Sequence, residues 1–289
     1  MRRAVTVAVT TAAVLAGGFS ASQAQAATPP TPSITAPGGF VMNNGTAATL
    51  FGKSADTRRP TGSTTKIMTA KVVLAQRGLN LDAKVTVQKA YSDYIVSKNA
   101  SSARLIVGDK VTVRQLLYGL MLPSGCDAAY ALADKFGTGT TRAARVKSFI
   151  GKMNDEARKM GLRNTHFDSF DGISNGSNYS TPRDLTKIAS SAMKNTTFRS
   201  IVKTRSTTQK VTTKTGGYRN MVWTNTNKML GTYSGMIGVK TGSGQQAKYC
   251  LVFAATRGNK TVIGTVLAAP NEANRTADVK KLLDYGFAR

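Results

Sequence analysis

From Ser63 to Gln76 the chain runs Ser-Thr-Thr-Lys-Ile-Met-Thr-Ala-Lys-Val-Val-Leu-Ala-Gln, with apolar side chains at Ile67, Met68, Ala70, Val72, Val73 and Leu74. On a helical repeat these positions point in nearly every direction, which predicts a helix buried all round. Pro60 and Gly62 break the chain just before it, so Ser63 is expected at the helix N-terminus. Unpaired backbone N–H groups and the positive end of the helix dipole lie there, where they can stabilise developing negative charge.

Other segments arrange themselves around that helix. Residues 27–37, rich in Pro, Thr and Ala, read as a tail. Gly39 to Met42 and Ala47 to Phe51 read as strands joined at Asn43-Asn44-Gly45, where Asn-Gly supplies the positive φ angles of a tight turn. Helical patterns occupy Val113 to Leu122, stopped by Pro123, and then Ala128 to Lys135, Ala143 to Met160 and Pro182 to Lys194. The last opens with Thr181 as N-cap and Pro182 at the first helical position. Met236 to Lys240, Tyr249 to Thr256 and Thr261 to Ala268 are β-rich, the last two joined at Gly258-Asn259, and Val279 to Tyr285 reads as a closing helix. The expected fold is α/β: an antiparallel sheet built from both ends of the chain (27–66 and 196–289) and flanked by helices, with an all-helical region (67–195) inserted between.

The chain holds a single histidine, His166, within Asn164-Thr165-His166-Phe167, which reads as a packed turn. A Ser-His-Asp triad would need it, and one His with two distant Cys cannot build a zinc site, so a catalytic base is expected elsewhere. Lysine can serve when burial lowers its pKa, and Ser-x-x-Lys puts both side chains one turn apart on one helix face. Ser63/Lys66, Ser191/Lys194 and Ser200/Lys203 all have this spacing, and the last two read as surface residues. Two further motifs follow in order. Ser124-Gly125-Cys126 lies in a tight connection after Pro123, and Lys240-Thr241-Gly242, followed by Ser243, ends an apolar strand. Lys214-Thr215-Gly216 repeats the latter tripeptide, but Thr212, Thr213 and Gly217 around it read as a hairpin turn.

This order of motifs resembles the penicillin-binding serine peptidases and class A β-lactamases. Gly62-Ser63-Thr64-Thr65-Lys66-Ile67-Met68-Thr69-Ala70, Leu122-Pro123-Ser124-Gly125, Asn164-Thr165-His166-Phe167, Tyr179-Ser180-Thr181-Pro182-Arg183-Asp184-Leu185, Gly238-Val239-Lys240-Thr241-Gly242 and Lys281-Leu282-Leu283-Asp284-Tyr285-Gly286-Phe287 are similar to low-molecular-mass D-alanyl-D-alanine carboxypeptidases and transpeptidases. The resemblance implies a β-lactamase/transpeptidase-like fold and one catalytic unit with its site between the sheet and helical regions. It further implies that Ser63 attacks the bond between the terminal D-alanines of a peptidoglycan stem peptide while Lys66 takes its proton. Backbone N–H groups of Ser63 and Ser243 would form the oxyanion hole, Ser124 would pass a proton to the leaving amine in the field of Lys240, and Thr241 beside Gly242 would bind the terminal carboxylate. β-Lactams would acylate the same serine as inhibitors, and no metal or organic cofactor is implied. Cys126 stands where the pattern has Asn, and a thiol lacks the carboxamide's donor and acceptor, which points toward transpeptidation. A β-lactamase-like hydrolase is the enzymatic alternative, yet Glu156 and Glu272 both lack the context of that family's catalytic glutamate. A catalytically silent wall-binding protein is the other alternative, and Ser63, Lys66, Ser124 and Lys240 together argue against it.

Arg2 and Arg3, an apolar stretch from Ala4 to about Ala16 and the closing Ala24-Gln25-Ala26 read as a secretory signal peptide over 1–26. Without it, 38 basic against 14 acidic residues leave a formal charge of +24. For an exported chain such a surface is expected to meet anionic wall polymers or the outer membrane surface, not nucleic acid. A secreted or wall-associated monomer is therefore expected. Cys126 and Cys250 are expected to be free thiols, one in a cleft and one in an apolar strand.

Overall fold

The computed structural model describes Met1, residues 4–8 and residues 29–289. The expected signal peptide lies outside the described residues except for those first few. The chain opens with β1 (Gly38–Asn43) and β2 (Thr49–Lys53), then a 3-10 turn (Gly62–Thr65) that leads into α1 (Lys66–Leu74). There follow β3 (Lys84–Thr86), α2 (Lys89–Lys98), β4 (Lys110–Thr112), α3 (Val113–Met121), α4 (Cys126–Phe136), α5 (Arg142–Lys159), α6 (Pro182–Ala192) and α7 (Thr196–Lys203). The chain ends with β5 (Ser206–Thr212), β6 (Tyr218–Thr224), β7 (Met236–Gly244), β8 (Lys248–Arg257), β9 (Lys260–Ala269) and α8 (Glu272–Ala288).

Strands β2-β1-β9-β8-β7 form an antiparallel sheet, so both ends of the chain build it as expected. Phe40 pairs with Thr265, and Lys240 pairs with Val252. Helix α8 covers one face of this sheet, where Val279, Leu282 and Leu283 pack with Val262, Val266 and Leu251. The larger core lies on the other face and centres on α1, whose Lys66, Ile67, Met68, Thr69, Ala70, Val72 and Val73 are all buried. Truncating Ile67 or Met68 to Ala is expected to remove about 2–5 kcal/mol of stability, because close-packed neighbours refill the space only in part.

Several expected boundaries move. The segment starting at Ser63 is not one α-helix: Gly62–Thr65 is a 3-10 turn, and α1 begins at Lys66. Gly62, at φ +50°, lies so close to β7 that an added Cβ would meet Ser243 O at 2.8 Å, and this approach fixes the turn's shape. The Lys240-Thr241-Gly242 tripeptide lies inside β7, not at its end, because pairing with β8 continues through Gly244↔Lys248. Helix α4 begins at Cys126, two residues earlier than its apolar pattern, and α8 begins at Glu272, where Asn271 caps Asn274 N–H. A second sheet, β3-β4-β5-β6, was expected only as the β5–β6 hairpin turn, and its strands β3 and β4 correct the reading of 67–195 as all-helical. Its first two strands have three residues each, too few to show alternation, and β5 is a Thr-rich strand with only Val211 buried.

Candidate active site

Pro60 to Ser63, the end of α2 with Ser101, the Pro123 to Cys126 connection, the loop containing Gly172 and the second half of β7 converge on one cleft of about 880 Å³. Ser63 is half-buried on its wall, and Lys66 lies fully buried one turn further on. Lys66 Nζ lies 2.9 Å from Ser63 Oγ, 2.9 Å from the Asp171 carbonyl oxygen and 3.3 Å from Cys126 Sγ. None of these three groups is a carboxylate, so the buried amine has no ion-pair partner among the described residues. A neutral amine has two N–H groups and one lone pair. Nζ stands within donor reach of all three groups; in the neutral form, with two N–H groups given to Asp171 and Cys126, the lone pair would face the Ser63 hydroxyl, as a general base requires.

Ser124 adopts φ +66°, and Ser101 Oγ donates to its carbonyl at 2.6 Å. The buried Ser124 Oγ has no hydrogen-bond partner among the described residues and lines the cleft, leaving it free for a bound group. Lys240 on β7 is buried, and among the described residues its Nζ meets only the Thr241 carbonyl (3.2 Å) and Thr241 Oγ1 (3.4 Å). Burial above all, with the charge of Lys66 second, pushes the Lys240 pKa well below the ordinary lysine value. Thr241 Oγ1 also pairs with Thr226 Oγ1 at 2.5 Å. Gly242 allows the 3-10 turn to lie on the strand: a Cβ there would stand 2.8 Å from Thr61 O and 3.1 Å from Thr64 N. That close approach brings the main chains of Ser63 and Ser243 side by side on the cleft wall.

All eight sequence-derived site residues thus meet in one place, with Lys66 and Lys240 behind the surface and Ser63, Ser124, Cys126, Thr241, Gly242 and Ser243 lining it. Both thiols are free. Burial raises the Cys126 pKa and nearby Lys66 opposes that rise, whereas burial in β8 pushes Cys250 up to about 11. The competing spacings stay apart from the cleft: Lys194, Ser200 and Lys203 are exposed, and His166 pairs with Tyr179 in a short β-bridge.

Three further contributors are Asp171, Thr226 and Arg275. The buried Arg275 on α8 lines the cleft with its Nε unpartnered and donates from Nη2 to Glu272 at 3.2 Å. Its only early signal is a basic residue in a segment that reads more clearly as a helix further along. Asp171 acts on Lys66 through a backbone carbonyl, which no side-chain pattern announces, although Gly172 after it, at φ +94°, marks a tight turn.

A half-buried serine on a buried lysine, a second serine hydroxyl across a cleft and a lysine-bearing edge strand are the parts of a serine acyl-transfer site without histidine. The family of D-alanyl-D-alanine carboxypeptidases, peptidase family S11, matches residues 23–271, and the chain belongs to it. It is 69% identical to the D-alanyl-D-alanine carboxypeptidase of Streptomyces sp. strain K15, over 100% of this chain and 99% of that one. The crystal structure of the Streptomyces K15 DD-transpeptidase aligns with TM-score 0.89 at 73% identity, covering 90% of this chain and 100% of that one. A D-alanyl-D-alanine carboxypeptidase from Mycobacterium tuberculosis H37Rv aligns with TM-score 0.79 at 28% identity, covering 91% and 95% of the two chains.

Proposed function

We propose that this chain is a serine-type D-alanyl-D-alanine carboxypeptidase and transpeptidase that processes peptidoglycan stem peptides through an acyl-enzyme on Ser63. The observation that carries this reading is the 2.9 Å contact between Ser63 Oγ and a buried Lys66 amine that has no carboxylate partner. Ser63 Oγ forms a bond to the penultimate D-alanine carbonyl carbon, and its proton passes to Lys66. The carbonyl oxygen takes the developing charge facing the N–H groups of Ser63 and Ser243. The C–N bond to the terminal D-alanine then breaks, and its nitrogen receives a proton through Ser124, whose hydroxyl has no other partner. The terminal carboxylate is held at Thr241 beside Gly242, in the positive field of the Lys240 side. In the second half, water or the amine of a neighbouring stem peptide attacks the acyl carbon and gives its proton to Lys66; the ester C–O bond then breaks, and Lys66 returns that proton to Ser63 Oγ.

Cys126 favours the amine over water: its sulfur is a weaker partner for a substrate amide than the family's usual Asn. Neither glutamate supplies the free carboxylate that rapid β-lactam hydrolysis uses. Glu156 is paired with Lys71 at 2.8 Å, and Glu272 is held by Arg275 and Lys228 at 3.2 and 3.3 Å. Penicillins are therefore inhibitors that remain bound to Ser63.

The sheet segments 27–66 and 196–289 and the helical segment 67–195 work as one unit, a reading supported by a cleft lined from both. Export rests on the leader-like residues 1–26, and no helix among the described residues is long and apolar enough to cross a membrane. The strongly basic surface would hold the mature chain near anionic wall polymers or the outer membrane face.

The test is intact-mass analysis and peptide mapping after incubation with benzylpenicillin, with Ser63→Ala as control. A lasting adduct on Ser63 that the control lacks is expected. An adduct lost within about seconds would make the chain a β-lactamase, since deacylation would then run at ordinary enzymatic turnover. No adduct on the folded protein would overturn the enzymatic reading.

A further inference from the structure

Lys66 is aimed by two acceptors of unequal strength. Cys126 sulfur, at 3.3 Å, is a weak acceptor, so the Asp171 carbonyl oxygen at 2.9 Å is the strong one. The position of that carbonyl is set by the Asp171 side chain, which is fully buried. Asp171 Oδ1 accepts from Ile173 N–H at 2.9 Å, and Oδ2 accepts from the Tyr94 hydroxyl, also at 2.9 Å. The following Gly172 lies so near the nucleophile's turn that a Cβ would stand 1.9 Å from Gly62 O and 3.1 Å from Ser63 N. The loop therefore cannot shift without disturbing Ser63 itself.

Tyr94 comes from α2, on the far side of the cleft from β7. Its ring packs edge-on against Tyr130 at 5.4 Å and tilted against Phe170 at 5.5 Å. Burial and the neighbouring Asp171 carboxylate push its pKa up, so the hydroxyl stays a donor. Tyr130 belongs to the same aromatic cluster and packs 5.1 Å from Phe170, yet Asp171 takes its tyrosine hydrogen bond from Tyr94 alone.

We propose that Tyr94 is a positioning residue for acylation: by pinning the Asp171 side chain it holds the carbonyl that aims Lys66 at Ser63, and Cys126 makes this chain depend on that carbonyl. The inference rests on the acyl-enzyme reading above. With an amide oxygen in place of the sulfur, Lys66 would have two strong acceptors and Tyr94 would matter less.

The test uses Tyr94→Phe and Tyr130→Phe, each in the natural background and with Cys126→Asn. Rapid-mixing kinetics with benzylpenicillin separate the acylation rate at saturation from the initial dissociation constant, and melting temperatures check folding. Tyr94→Phe is expected to slow acylation about tenfold, the change that a barrier shift of roughly one hydrogen bond produces, with the dissociation constant unchanged. Tyr130→Phe is expected to match the unaltered protein. In the Cys126→Asn background the Tyr94→Phe loss should shrink to about twofold, a non-additivity that a purely structural role does not give. Asp171→Asn, which keeps an acceptor for Tyr94, should retain more acylation than Asp171→Ala and gives an independent readout should Tyr94→Phe fold poorly.

Equal losses from Tyr94→Phe in both backgrounds, a change in dissociation constant alone, or Tyr94→Phe behaving as Tyr130→Phe would overturn the proposal while leaving the acyl-enzyme reading standing. Failure of the unaltered protein to acylate would overturn that reading, and this inference with it.

Discussion

Lys240-Thr241-Gly242 and Lys214-Thr215-Gly216 are the same tripeptide in two settings. The first lies within β7, with Lys240 almost fully buried and Gly242 pressed against the turn that carries Ser63. The second lies at the tip of the β5–β6 hairpin, where all three residues are exposed and Gly216, at φ +90°, has nothing near it. Thr213 N–H donates to the Gly217 carbonyl to close that turn. What separates the copies is their flanks: Met236 to Val239 build a strand that the sheet must cover, whereas Thr212 and Thr213 bury little. The tripeptide by itself carries no chemistry. It becomes part of the cleft when an apolar strand carries it against the turn that holds Ser63.

The largest expected effect divides the two lysines by activity. Lys240→Ala should lower acylation of Ser63 by benzylpenicillin by about 10²–10³, the loss typical of removing one preorganised electrostatic group from an acyl-transfer site. Lys214→Ala should leave the rate unchanged, and equal losses from both would break the contrast. The next effect is on stability. Lys240 is a buried lysine without a carboxylate partner, so Lys240→Met is expected to raise stability by about 1–4 kcal/mol near neutral pH while abolishing rapid acylation. The folded-state pKa of Lys240 lies below the ordinary lysine value of 10.5, so between the two the unfolded chain binds more protons. Stability of the natural protein therefore rises with pH across that window, and the advantage of Lys240→Met should narrow as pH climbs toward 10.5. Urea unfolding of both proteins at two pH values checks this, and a gap that widens with pH would mean that Lys240 is not the destabilised charge.

Much of this site was legible because its signals are side chains at fixed spacing beside strong breakers. The all-round apolar pattern of α1 and the Thr181-Pro182 start of α6 each depend on local chemistry, and the structure bears them out: Thr181 Oγ1 accepts from Asp184 N–H at 3.0 Å. The hairpin before α1 forms as well, but its left-handed residue is Ala47, at φ +59°, and not Asn44 or Gly45, so the Asn-Gly pair located the turn without setting its geometry. The same local reading placed Ser63 on an α-helix, because nothing near it in sequence reports the pressure of β7 that tightens Gly62–Thr65 into a 3-10 turn. It likewise missed α2, where only Tyr91 is buried, and with it Tyr94. The Asp171 carbonyl had no signature to read: what reaches Lys66 is a main-chain oxygen, and its placement depends on its own loop and on Tyr94 of α2, far away in sequence.

The smallest expected effects come from the glycines of the two copies. A Cβ at Gly242 would meet Thr61 O at 2.8 Å, Thr64 Cγ2 at 3.0 Å and Thr64 N at 3.1 Å, two of them backbone atoms of the turn that holds Ser63. Gly242→Ala must therefore push the nucleophile's turn off the strand, and it is expected to cost about 1–3 kcal/mol, as overpacking does, with a parallel loss of acylation. Gly217 in the hairpin has only Thr213 Oγ1 near, at 3.4 Å, so Gly217→Ala should change stability by no more than about 0.5 kcal/mol. Thermal or urea unfolding measures both. If Gly242→Ala proved as mild as Gly217→Ala and kept its acylation rate, the contact between β7 and the Ser63 turn would be slack, and the difference between the two tripeptides would rest on the burial of Lys240 alone.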